Sequence, residues 1–100
     1  MVRRRYFAHV SPGGGDVGDR VRRAGYVRGT GAWTVGEVLA WLVRPRPTPD
    51  ATVRAWMRSP PHRTILLRAA FRDVGTSYAL GNPRSRRGGA TWAAVLGRRQ

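Results

Sequence analysis

Prolines and glycines cut this chain into short pieces, and that limits its fold more than any other feature. "SPGGG" spans 11–15, "RPRPTPD" 44–50, "SPPH" 59–62 and "GNPRSRRGG" 81–89. Proline inside a helix loses a backbone donor and clashes with the preceding turn, and glycine runs favour turns. The pair Pro60–Pro61 is the sharpest break. Pro60 stops one helix, and Pro61 sets φ in the first turn of the next, so the backbone is fixed directly ahead of His62.

Between the breaks, the pattern predicts short elements. Asp16 is a candidate N-cap with Asp19 in the first turn, Val17, Val21 and Ala24 share a helical face, and Gly25 is a stop; a helix is expected over 16–24. "TVGEVLAWLV" (34–43) reads as a second helix, with Thr34 as its cap and Glu37 at capping-box spacing. "DATVRAWMRS" (50–59) reads as a third, capped by Asp50, with Val53, Trp56 and Met57 on one face. "PHRTILLRAA" is a fourth, short helix with Pro61 in its first turn. "RPRPTPD" (44–50), with prolines at alternate positions, is an extended connection. "FRDVGTSYAL" and "ATWAAVLG" read as two strands of an antiparallel hairpin around the loop 81–89, with Gly75 a candidate bulge and the second strand buried on both faces. Helices followed by a hairpin make an α+β fold.

With 100 residues, one domain over 1–100 is expected. The absence of cysteine excludes disulfides and cysteine-based metal sites. No apolar stretch of about 18 residues occurs, so no transmembrane segment is expected. "MVRRRYFAHV" is basic but lacks the apolar core of a signal peptide. The net charge is +14, and all 19 basic residues are arginine. Such a surface attracts anionic polymers, acidic membranes or nucleic acid. The arginines are scattered rather than gathered into one stripe, which fits a solvated cationic surface better than a nucleic-acid groove. Trp56 and Trp92 sit at core-type positions, which further weakens a base-stacking role.

Two histidines and five acids make up the candidate chemistry. His9, Glu37 and His62 together suit Zn²⁺, since two imidazoles and a carboxylate leave a coordination position open for water. The three are far apart in sequence, without an H-E-x-x-H motif, so spacing alone favours separately satisfied histidines and a helix-start carboxylate over a shared metal site. No nucleophile motif surrounds any serine. Ser59, close to His62, reads first as a helix cap. The triple glycine lacks the lysine of a phosphate loop and is a turn.

Taken in order, "YFAHVSPGGGDVGDRVRRAGY", "GEVLAW", "WMRSPPHRTILLRAAFRDVGTSYA" and "TWAAVLG" resemble the CAP superfamily, the SCP-like group of cysteine-rich secretory, antigen 5 and pathogenesis-related proteins. The likeness is to the bacterial branch, whose pattern runs Y-F-S-H-x-S-P, D-R-x-x-x-A-G-Y, G-E-N, W-x-x-S-P-G-H-R, F-x-x-I-G and W-x-Q-x-F-G. It covers Tyr6 to Gly97.

The resemblance implies an α-β-α sandwich with a central antiparallel sheet, and a cavity where His9, Glu37 and His62 hold a divalent metal such as Zn²⁺ or a small ligand. It implies an extracellular or cell-envelope location. Departures stand out. Pro60 replaces a second cavity glutamate and Pro61 a glycine. Val38 and Ile65 replace asparagines and Ala94 a glutamine, each removing polar capacity around the site. The long helix that precedes "YFSH" in the family is missing, so the domain is expected to be truncated at that helix. The favoured function is a non-enzymatic binding module for a small ligand or an anionic cell-envelope polymer. The alternatives are a metal-dependent hydrolase acting on envelope material and a truncated, non-functional fragment that folds poorly.

Overall fold

A computed structural model describes residues 1, 4–42, 48–81, 83 and 89–99. The order of elements is α1 (Val17–Arg23), β1 (Trp33–Leu42), α2 (Pro49–Met57), α3 (Pro60–Leu66), β2 (Asp73–Leu80) and β3 (Ala90–Arg99). The strands form one antiparallel sheet in the order β1-β3-β2. Helices and a three-stranded antiparallel sheet make the α+β architecture that the sequence implied. The connection over 43–47 and most of the 81–89 loop lie outside the described residues. Gly81 N–H donates to the Gly89 carbonyl at 2.9 Å, closing that loop at its base.

Local chemistry explains α1. Asp16 accepts from the Asp19 N–H at 2.9 Å, and Asp19 accepts from the Asp16 N–H at 3.0 Å. This reciprocal capping box satisfies two donors the helix cannot satisfy itself. Gly25 follows the last turn with φ 83°, a left-handed conformation that costs glycine little.

The segment read as a second helix, 34–43, is strand β1. It pairs with β3 without a break from Trp33↔Arg99 to Leu42↔Ala90. A short, nearly continuous apolar run does not distinguish a buried strand from a buried helix by period. Its β-branched and aromatic residues suit a strand that serves two faces. Thr34 and Glu37 are therefore strand residues and cap nothing. Gly75 is no bulge either, because it pairs with Val95 in an unbroken register from Asp73↔Gly97 to Leu80↔Ala90.

Two further expectations shift. Helix α2 is capped by Thr48, whose Oγ1 accepts from the Ala51 N–H at 3.1 Å, and not by Asp50, which lies in the first turn. Pro49 takes the first helical position, where its missing N–H costs nothing, and this moves the start upstream. The buried residues of α2 are Thr52 and Trp56, while Val53 is 49% exposed. At the double proline, Ser59 is extended (φ −101°, ψ 112°), as a residue before proline prefers, and α3 begins at Pro60 itself.

Alternate strand residues point to opposite faces, so the sheet has a Val38 face and a Glu37 face. Helices α2 and α3 cover the first. Its core is Val38, Trp56, Ala94 and Leu96, with Ala40, Ile65, Leu66, Phe71 and Trp92 against it. The Trp56 Nε1–H donates to the Leu39 carbonyl at 2.8 Å, fixing the helix on the strand. Gly36 permits the close approach of α3, since a Cβ there would lie 3.1 Å from both Ile65 and Phe71. Helix α1 and the loop before it cover part of the second face. Strand β3 is buried at Ala90, Thr91, Ala94, Leu96 and Gly97, while β2, at the sheet edge, is exposed along its length.

Candidate functional site

Glu37 projects from β1 beneath α1, with its side chain only 3% exposed. A buried carboxylate requires a positive partner or several donors. It has both. Arg20 on α1 donates through Nη2 to Oε1 at 2.9 Å and Oε2 at 2.8 Å. His9 Nδ1 lies 2.9 Å from Oε1. The same arginine bonds to the preceding loop, through Nη2 to the His9 carbonyl at 3.2 Å and through Nη1 to Ser11 Oγ and the Gly15 carbonyl, both at 3.4 Å. That loop is itself a turn, with Gly14 N–H bonded to the Ser11 carbonyl at 2.8 Å.

Of the three residues singled out by sequence, His9 and Glu37 are therefore in contact. His62 lies on α3, which covers the opposite face, and its Nδ1 is 2.8 Å from Ser59 Oγ. Ser59 stands at the cap position but makes no side-chain cap bond, so its hydroxyl serves the imidazole instead. No group of three or more histidine, aspartate or glutamate side chains able to hold a metal occurs among the described residues.

A cavity of about 580 Å³ opens beside this cluster on the Glu37 face. Val21 of α1, its C-cap Ala24, and Val35, Ala93 and Val95 of the sheet line it, with Arg20 and Glu37 among its polar groups. Elsewhere on its wall the Tyr26 hydroxyl donates to Asp73 Oδ2 at 2.6 Å. Burial is the main cause that pushes the Tyr26 phenol up, and the hydrogen bond to Asp73 adds to it. Gly97 makes room for this tyrosine, since a Cβ there would come within 2.8 Å of the hydroxyl. Glu37 is the one member of the expected trio that lines the cavity; His9 and His62 do not. Arg20, Tyr26 and Asp73 were not foreseen. Arg20 and Tyr26 stand in "DRVRRAGY", a segment that carries the family resemblance, so the motif held the signal although charge and spacing did not.

The three polar-to-apolar departures have a common explanation. Val38, Ile65 and Ala94 all join the core on the other face, and Val38 and Ala94 are direct partners across β1 and β3. They are core residues, and not thinned surroundings of the Glu37 site as the sequence suggested. Among the described residues, Trp92 Nε1 is buried there without a hydrogen-bond partner.

The family model described as "CAP: Cysteine-rich secretory protein family" matches residues 1–95. No curated protein and no solved structure matches the chain.

Proposed function

Because this chain belongs to the cysteine-rich secretory protein (CAP) family, we propose that it is an exported, non-enzymatic binding domain that takes a small, mainly apolar ligand into the cavity on the Glu37 face. The observation that carries this reading is the cavity itself. Its volume of about 580 Å³ lies within the usual range for small-molecule sites, and its wall is apolar with a few placed polar groups. Arg20 and Glu37 neutralise each other at the wall, which favours an uncharged ligand over an ion. Export rests on the family's secretory character. No helix among the described residues is long and apolar enough to cross a membrane. The arginine-rich surface is a second attraction, toward anionic envelope polymer. Several of its arginines also have local work: Arg22 lies over Trp33, Arg68 over Phe71 and Arg99 over Tyr26.

The test uses Nile red, an uncharged apolar dye, titrated by fluorescence. Gly75 lines the cavity, and a Cβ there would meet nothing within 4 Å, so Gly75→Leu starts its side chain in open space and takes up cavity volume. The wild type should bind the dye saturably and Gly75→Leu should bind it about tenfold more weakly, equivalent to about 1.4 kcal/mol. Equal binding by both would refute the cavity as the ligand site, because the variant only adds apolar surface.

A further inference from the structure

The family resemblance points to a divalent metal at the cavity carboxylate, and the donor set on this chain does not suit one. Both Glu37 oxygens are bonded to Arg20, and Oε1 is also within hydrogen-bond distance of His9 Nδ1. A metal ion would have to displace a guanidinium held by five acceptor contacts: two to Glu37 and one each to the His9 carbonyl, Ser11 Oγ and the Gly15 carbonyl. His62, the other expected ligand, sits on the helix covering the far face and is paired with Ser59.

We propose that Arg20 is the resident cation of the Glu37 site. It bonds both carboxylate oxygens that a metal would need and does the mechanical work a metal would do. One fixed positive charge neutralises the buried carboxylate and ties three separate segments together: the 9–15 loop, α1 and β1. Arginine is suited to this because its guanidinium stays charged at all relevant pH values and presents donors in a rigid planar fork. A lysine has the charge but not the reach to several acceptors at once. Arg20 is thus a positioning residue. It holds the 9–15 loop against α1 and β1 and does not itself react. This inference stands apart from the ligand reading, since it concerns what balances Glu37 whether or not the cavity is filled.

The asymmetry of exposure supports it. Arg20's side chain is 29% exposed and Glu37's 3%. Removing the arginine strands a charge away from water, whereas removing the glutamate leaves a cation that can still reach solvent.

Thermal melts with added cations test the proposal. Arg20→Ala should lower Tm by roughly 15 °C. Guanidinium chloride at about 20 mM, far below denaturing concentrations, should restore part of that loss where sodium chloride at the same ionic strength does not. Arg20→Lys should fall between the wild type and Arg20→Ala. In the Arg20→Ala, Glu37→Gln double variant no buried charge is left unpaired, so it should melt above Arg20→Ala and show no guanidinium rescue. In the wild type, zinc chloride should leave Tm unchanged. Should Arg20→Ala fail to fold, the comparison of zinc titrations on the wild type and on Glu37→Gln still decides. A zinc-induced rise in wild-type Tm that Glu37→Gln abolishes would overturn the proposal, as would an Arg20→Ala variant that melts with the wild type.

Discussion

Glu37 and Val38 are neighbours on one strand and belong to two different environments. Val38 is wholly buried in a cluster of Trp56, Ala94 and Leu96, roofed by α2 and α3. Glu37 is nearly as buried, yet its surroundings are charged and its face opens into a cavity. The pleat alone separates them. One face is closed by shape, with Gly36 thinning the strand so that Ile65 and Phe71 can approach. The other is closed by charge, with Arg20 drawing α1 and the preceding loop onto the sheet. A face closed by shape holds the fold together; a face closed by charge leaves space that a ligand can use.

The largest effect that tests this contrast belongs to the closed face. Trp56→Ala removes the largest side chain of that core and the donor to the Leu39 carbonyl, and should cost about 3–5 kcal/mol. Against a typical domain stability of about 5–15 kcal/mol, the loss should appear as a large drop in the urea midpoint. A midpoint shifted by less than a third of that would mean the Val38 face is not the structural core.

A smaller effect sharpens the contrast on the open face. The Tyr26 phenol is raised above its ordinary value of 10.0 in the fold, chiefly by burial. The unfolded chain therefore releases this proton first. The stability tied to the protonated phenol is complete below about pH 10 and is lost as pH rises through the folded-state value. Melting temperatures between pH 9 and 11 should fall more steeply for the wild type than for Tyr26→Phe. Parallel curves would show that Tyr26 ionises alike in both states.

Much of this arrangement was legible in the residues, unevenly. Helix α1 could be read because Asp16, Asp19 and Gly25 are local signals that tertiary packing did not need to override. The hairpin of β2 and β3 could be read from its turn composition. Strand β1 could not, because a strand buried on both faces loses the alternation that marks a strand, and "VGEVLAWL" then fits a helix equally well. On α2, Val53 looks like core and Thr52 does not, yet Thr52 is the buried residue; its hydroxyl is satisfied by the Thr48 carbonyl at 2.9 Å, which makes burial tolerable. At the site, Glu37 and His9 were named together and do meet. Arg20 was hidden among 19 arginines, since nothing in charge or spacing tells a buried ion-pair partner from a solvated one.

Strand β3 offers the most direct test of the two-face account, because its consecutive residues report on opposite sides. Ala93 and Val95 line the cavity, while Ala94 and Leu96 belong to the core. Methyl resonances of these four residues, followed by NMR during a Nile red titration, separate the faces residue by residue. The account predicts saturable shifts at Ala93 and Val95 with Ala94 and Leu96 nearly still. Shifts of equal size at all four, or larger ones at Ala94 and Leu96, would contradict it.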